Sequence, residues 1–292
     1  MPTTYAHWRF GDKCIPTLPK ELQEIIKNNR KIFNFGVHGP DIFFYYNCLK
    51  HNDVNQYGTN LHDTPFNETL KNIKPCFKKC DDQEAALAYL LGFVCHFTLD
   101  SYCHGYIDRK AEVSKETDKP TTHGIIEAQF DKYLLKKDGY NPFRKNVTFS
   151  LKPNKQIGHI IGQLFPDLGE EIAYKSIKDQ KFYLTLLHDS NSVKRSLLEK
   201  AMDMAHAPAF KDLLLTEKEF PEIEDSIMRL DKLFDKAVEH YPILAQDLVS
   251  YLINSVPLEA YYKHHFCPKK DYQKIPILSA DAERNYVVEL QD

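Results

Sequence analysis

A surplus of positive charge, a pairing pattern among the cysteines and a long apolar run are all missing from this sequence. Lys and Arg total 38 against 41 Asp and Glu, a net charge of −3. Duplex nucleic acid needs a basic face, so no such partner is expected. The seven cysteines are odd in number and follow no disulfide framework. Reduced thiols are the simplest account of them. Cys76 and Cys80 look like half of a zinc site, but no second Cys or His pair stands at matching spacing. The most apolar run, Ala85 to Cys95, falls well short of the roughly 20 residues a transmembrane helix needs. No transmembrane segment is expected. The opening MPTTYAHWRFGDKC has no basic region, apolar stretch or small-residue cleavage site, so a soluble, cytoplasmic protein is expected. Glycine (11) and proline (16) are too few for collagen-like or low-complexity designs.

What is present is helical periodicity almost throughout, with no alternating strands joined by a hairpin turn. Helices are expected over Pro19–Asn29, Phe66–Lys74, Asp81–Ile107, Thr122–Lys136, Lys155–Phe165, Leu168–Ile177, Gln180–Ala205, Glu222–Tyr241 and Leu244–Asn254, with a short element near Asp41–Cys48. Asp81 or Asp82 and Thr121 or Thr122 stand where N-caps belong. Pro166, Pro208, Pro221, Pro242 and Pro257 punctuate the second half as helix ends. The expectation is an all-α, multi-helix bundle forming one domain over 1–292. Its site-bearing half would cover about 1–140, with additional helices over about 154–256 and a tail over 271–292 packed on the surface. The stretch Asp138–Pro153 reads as the connection between the halves.

The segment Asp81–Ile107 is apolar on nearly every face, which implies burial at the bundle centre. His96, Asp100 and His104 break that pattern. Their i, i+4, i+8 spacing puts them on one stripe, with the two histidines about 12 Å apart along the axis. One ion cannot take both. Asp100, with two oxygens in the middle, can serve a metal on either side, so the spacing points to a multinuclear cluster with a bridging carboxylate. His123 and Glu127 repeat the i, i+4 spacing on the next helix, and one ligand from the preceding helix would complete a three-ligand site. His7, Asp41 and His62 lie N-terminal to these. Imidazole and carboxylate donors without thiolate favour zinc or a similar divalent ion. A single buried His or Asp is most often a hydrogen-bonded core residue. Three such polar pairs between His96 and Glu127 argue for metal. Cys95 and Cys103 read as core filler.

The stretches MPTTYAHWRFG, GVHGPDIFFYY, NLHDTPF, AYLLGFVCHFTLDSYCHGYI and HGIIEAQFDKYL, in that order, resemble the zinc-dependent phospholipase C family. The resemblance is to its signal-less bacterial branch and, more distantly, to the zinc-dependent single-strand nucleases. It implies an all-α bundle holding up to three Zn2+ ions in a cleft. Asp41, His62, His96 and Asp100 would hold one ion, His7 and the bridging Asp100 a second, and His104, His123 and Glu127 a third. His51, nearer Asp41 in sequence, is an alternative to His62. Secreted relatives supply ligands from a mature N-terminal Trp, whereas the only Trp here is Trp8. Removal of the initiator Met would expose Pro2, whose amine and carbonyl are candidate ligands beside His7; water is the alternative.

The chemistry implied is phosphoric ester hydrolysis, phospholipase C-like, by zinc-activated water acting on a phospholipid or related phosphodiester. Asp41 and Asp100 are the candidate catalytic residues: Asp41 to orient or deprotonate the water, or as ligand only, and Asp100 as bridge. A nuclease or nucleotidase of the same fold, or a helical scaffold with structural zinc, are the alternatives. Arg9 and Arg109 read as surface residues. Phe43, Phe44, Tyr45 and Tyr46 read as core, with a pocket lining as the alternative. His188-Asp189-Ser190 is contiguous, so its side chains diverge and form no relay. His264, His265 and Cys267 read as surface.

Overall fold

The computed structural model describes residues 4–187, 220–267 and 272–289, with the isolated positions 194, 196, 200, 215 and 218. Pro2, the triplet His188-Asp189-Ser190 and Pro208 lie outside the described residues. Among the described residues every regular element is helical and there is no strand. In chain order the α-helices are α1 (Thr4–Cys14), α2 (Lys20–Asn28), α3 (Arg30–Gly36), α4 (Asp53–Asp63), α5 (Phe66–Phe77), α6 (Gln83–Ser114), α7 (His123–Lys137), α8 (Lys155–Leu164), α9 (Gly169–Leu187), α10 (Glu224–Asn254) and α11 (Ala280–Asn285). Short 3-10 turns include Gly39–Tyr45 and Ala260–Lys263.

The architecture is organised around α6. Its 32 residues make it about 48 Å long, and α1, α2, α3, α5, α7, α8 and α10 all pack against it. By length and composition it is also apolar enough to cross a membrane, yet its apolar window is wholly buried in the bundle. The helix starts where the Asp82 side chain accepts from Ala85 N at 3.0 Å. It continues to Ser114, past the expected end at Ile107. Thr122 caps α7 through Ile125 N at 3.2 Å.

Other boundaries differ from expectation for physical reasons. Helix α10 runs through Pro242 instead of breaking there. Tyr241, Leu244, Ala245 and Leu248 are all fully buried around it, so packing overrides the lost hydrogen bond. The expected Leu168–Ile177 and the start of Gln180–Ala205 are one helix, α9; apart from positions 194, 196 and 200, the rest of the latter span lies outside the described residues. The element near Asp41–Cys48 is the 3-10 turn Gly39–Tyr45. Helices α1, α3 and α4 escaped the periodicity because each is short, and α1 and α4 bury polar residues, Thr4, His7 and Arg9 in the first and His62 in the second. In the tail, Glu283 of α11 is fully buried and grips Arg229 of α10 with two hydrogen bonds of 2.9 and 2.7 Å.

Two glycines set the distance between α3 and α6. A Cβ on Gly36 would lie 2.2 Å from Tyr89 O, and one on Gly92 would lie 2.6 Å from Phe33 O. The two backbones therefore touch. That contact brings Val37 O within 3.3 Å of His96 Nδ1 and delivers the following turn to the polar stripe of α6. Within the turn, Gly39 has φ +50, and a Cβ there would strike the His96 ring. Replacing Gly92 by Ala forces the helices apart. The expected loss is about 1–3 kcal/mol, read as a lower urea midpoint with an unchanged denaturant slope.

Candidate metal centre

The polar stripe of α6 lies inside the bundle: His96, Asp100 and His104 are all buried. Helix α1 brings His7 to it, the 3-10 turn brings Asp41, α4 brings His62, and α7 brings His123 and Glu127. Asp100 is the hub. Its Oδ1 lies 3.2 Å from His7 Nε2 and 3.4 Å from His104 Nε2, while its Oδ2 lies 3.0 Å from His96 Nε2. Asp41 sits between His62 Nε2 at 3.1 Å and His96 Nε2 at 3.4 Å. Glu127 Oε1 sits between His104 Nε2 at 3.3 Å and His123 Nε2 at 3.1 Å. The rings of His7 and His96 are stacked, 4.2 Å between centroids.

Among the described residues these side chains form three groups able to hold a metal ion: His7, His96 and Asp100; Asp41, His62 and His96; and His104, His123 and Glu127. Within each group the donor atoms lie within 4.8 Å of one another. His51 is exposed and away from Asp41, whereas His62 faces it. The sulfurs of Cys76 and Cys80 bond only to helix carbonyls, those of Asn72 and Cys76.

The imidazoles share an orientation. Nε2 of His62, His96, His104 and His123 points at the carboxylates, and Nδ1 of each meets an acceptor: Gly58 O at 2.8 Å, Val37 O at 3.3 Å, Cys267 Sγ at 2.8 Å and Asp108 Oδ1 at 2.7 Å respectively. That is how histidine ligands are held when the other nitrogen binds a metal. The interior also leaves polar atoms without partners: Asp41 Oδ2, Glu127 Oε2, His7 Nδ1 and His96 Nε2 are buried and make no aligned hydrogen bond. Orphaned atoms of this kind are expensive unless something binds them. A donor set of nitrogen and oxygen, gathered in each group within 4.8 Å, fits divalent zinc.

Without a cation, protons and the imidazoles must balance three buried carboxylates. Burial pushes each carboxyl up, but the histidines outweigh it. His104, His96 and His7 hold Asp100 far below the usual range, and His96 and His62 do the same, less strongly, for Asp41. His123 and His104 hold Glu127 down likewise. On His104 burial acts downward, yet Asp100, Cys267 and Glu127 raise it well above its ordinary value. On His96 burial wins and the value falls.

Several participants gave no clear sign in sequence. His38, buried with both ring nitrogens unpartnered, is pushed down to about 3 by burial and by His7 and His96. Asp131 accepts from the backbone N–H groups of Tyr5 at 3.0 Å and Ala6 at 2.7 Å, and so caps α1 one residue before His7. Its i+4 step from Glu127 was the available signal. Arg9 is a correction: it is buried, not a surface residue, and pairs with Asp138 through bonds of 2.6 and 2.9 Å. Phe43 and Tyr45 are core, while Phe44 is half-buried and stacks on His62 at 5.2 Å. Cys267 is half-buried against His104 rather than on the surface, and Phe266 before it is fully buried against His62 and His96. A cavity of about 20 Å³, room for roughly one water, lies between His7, Asp100, His104 and Glu127. His123, with 29% of its side chain exposed, opens the third group to solvent. A larger cavity of about 680 Å³, lined by Lys132, Tyr133, Ile227 and Met228, lies apart from these ligands.

Asp131→Ala removes the cap that fixes the start of α1. The expected cost is about 1–2 kcal/mol, measured by thermal unfolding, with weaker zinc retention on dialysis because His7 loses its anchor.

Neither a curated protein nor a solved structure matches the chain. A family profile described as zinc dependent phospholipase C matches residues 6–206, which takes in every side chain of the three groups. With more than half of its length covered by that match and its helices arranged around clustered imidazoles and carboxylates, the chain belongs to the zinc-dependent phospholipase C family.

Proposed function

We propose that this protein is a metal-dependent phosphodiesterase, phospholipase C-like, that cleaves a phospholipid or related phosphodiester at a centre of up to three zinc ions. Asp41, His62, His96 and Asp100 would hold the first ion, His7 and Asp100 the second, and His104, His123 and Glu127 the third. The observation that carries this reading is Asp100, whose two oxygens face three imidazoles inside an otherwise apolar helix. A purely structural zinc is normally closed by four protein ligands. The groups holding His7 and His123 each offer three, which leaves room for water and substrate.

Divalent ions bound there would neutralise phosphoryl oxygens and lower the pKa of a nearby water. The chain's own part is positional. Asp41, whose Oδ2 makes no aligned hydrogen bond and lies 3.4 Å from His96 Nε2, is placed to orient a water and accept its proton. Asp100 fixes the spacing of neighbouring groups. Phe44, half-buried and stacked on His62, offers an apolar face suited to the glyceride side of a lipid. The exposed edge of His123 marks the side from which a phosphate ester reaches the centre. Near-neutral net charge gives no footing for a long polyanion.

Asp100→Asn should bind fewer zinc equivalents and lose at least about 100-fold in turnover, measured on phosphatidylcholine, bis-p-nitrophenyl phosphate and single-stranded DNA side by side. Full zinc content and full turnover in a folded variant would overturn the assignment, and preference for DNA would favour the nuclease reading.

Chelation should also lower the melting temperature, and added zinc restore it. Binding at a free concentration of 1,000 Kd stabilises by about 4 kcal/mol. An unchanged transition after chelation, with no zinc in the untreated protein, counts against the metal centre.

A further inference from the structure

Four imidazoles of the centre turn Nε2 toward the carboxylates and Nδ1 toward a fixed acceptor. For His62, His96 and His123 that acceptor is an oxygen; for His104 it is the sulfur of Cys267, at 2.8 Å. Cys267 lies well beyond residues 6–206, the part that matches the family. The segment carrying it is tied down at several points. Tyr261 Oη bonds Ser101 Oγ at 2.9 Å, one residue after the hub Asp100. Tyr262 Oη donates to Leu244 O at 2.6 Å, and Phe66 N donates to His264 O at 3.0 Å. Phe266 is fully buried among Phe66, Phe93, Phe97 and the rings of His62 and His96. The sulfur is thus presented by a built wall, not by a free surface strand.

We propose that Cys267 is a positioning residue for His104, accepting the Nδ1 proton and so fixing the ring that offers Nε2 to the ion shared with His123 and Glu127. This rests on the metal-centre reading above. Nε2 lies 3.4 and 3.3 Å from Asp100 and Glu127; once Nε2 binds the ion gathered there, the ring proton belongs to Nδ1, which then needs an acceptor. Sulfur is the weakest of the four acceptors and the only one open to alkylating reagents, because Cys267 is half-buried. One site of the centre is therefore held from outside the residues that match the family, by a group that thiol chemistry can reach.

The test measures zinc affinity in metal buffers, and the visible spectrum of the cobalt-loaded protein, for wild type, Cys267→Ala and Cys267→Asp. One zinc equivalent should weaken about 10–100-fold in Cys267→Ala, with an altered cobalt band. Cys267→Asp restores an acceptor and should recover affinity to within a few-fold. Alkylation of folded wild type at Cys267, located by peptide mass, should weaken the same equivalent. Cys48→Ala serves as the control thiol and should change nothing. A role in packing alone would lower stability in both Cys267 variants and leave affinity and spectrum untouched, and that result overturns the proposal. Wild type that takes up no stoichiometric zinc overturns the metal-centre reading together with this one. Normal zinc binding in wild type and Cys267→Ala alike overturns this one only.

Discussion

Three carboxylates, Asp41, Asp100 and Glu127, sit almost without solvent contact in the middle of an apolar helical bundle. Each isolated charge in such a place costs several kcal/mol, a large share of the net stability of a domain. The surroundings make sense as an answer to that problem. Five imidazoles converge on the three acids, and Asp41 Oδ2, Glu127 Oε2 and His96 Nε2 among them make no aligned hydrogen bond. A hydrogen-bonded polar core would have satisfied those atoms with neighbours. Here they are left for a cation, which agrees with the zinc dependence of the family to which the chain belongs.

The helical frame serves this arrangement by holding distances. Helix α6 spaces His96, Asp100 and His104 by one turn each. The Gly36–Gly92 contact presses α3 on α6, so that the turn carrying Asp41 lands beside His96. Asp131, one turn beyond Glu127 on α7, takes the free N–H groups at the start of α1 and places His7. Ligand helices thus position one another, and His96, His104 and His123 each meet an Nδ1 acceptor from a different element, Val37 O, Cys267 Sγ and Asp108 Oδ1.

The bundle class and the stripe on α6 were legible in the sequence, because an unbroken apolar helix makes three polar residues conspicuous. His123 and Glu127 were legible for the same reason. His7, Asp41 and His62 were not readable from periodicity. They sit on elements too short or irregular to show a period, so only their order along the chain, matched to the family, singled them out. Arg9 and Cys267 were misjudged because their partners, Asp138 and His104, are distant in sequence. Pro242 was read as a break because local propensity carries no information about the core on either side of it.

The wall formed by residues 260–267 has a temporal consequence. All the proposed ligands lie within the first 127 residues, but the Nδ1 acceptor of His104 and the ring that shields His62 and His96 are synthesised some 140 residues later. A nascent chain can gather its imidazoles and acids around an ion long before that wall exists. Such a chain also lacks α10, which packs on α6, so the proposed ligands are all made before the elements that cover them.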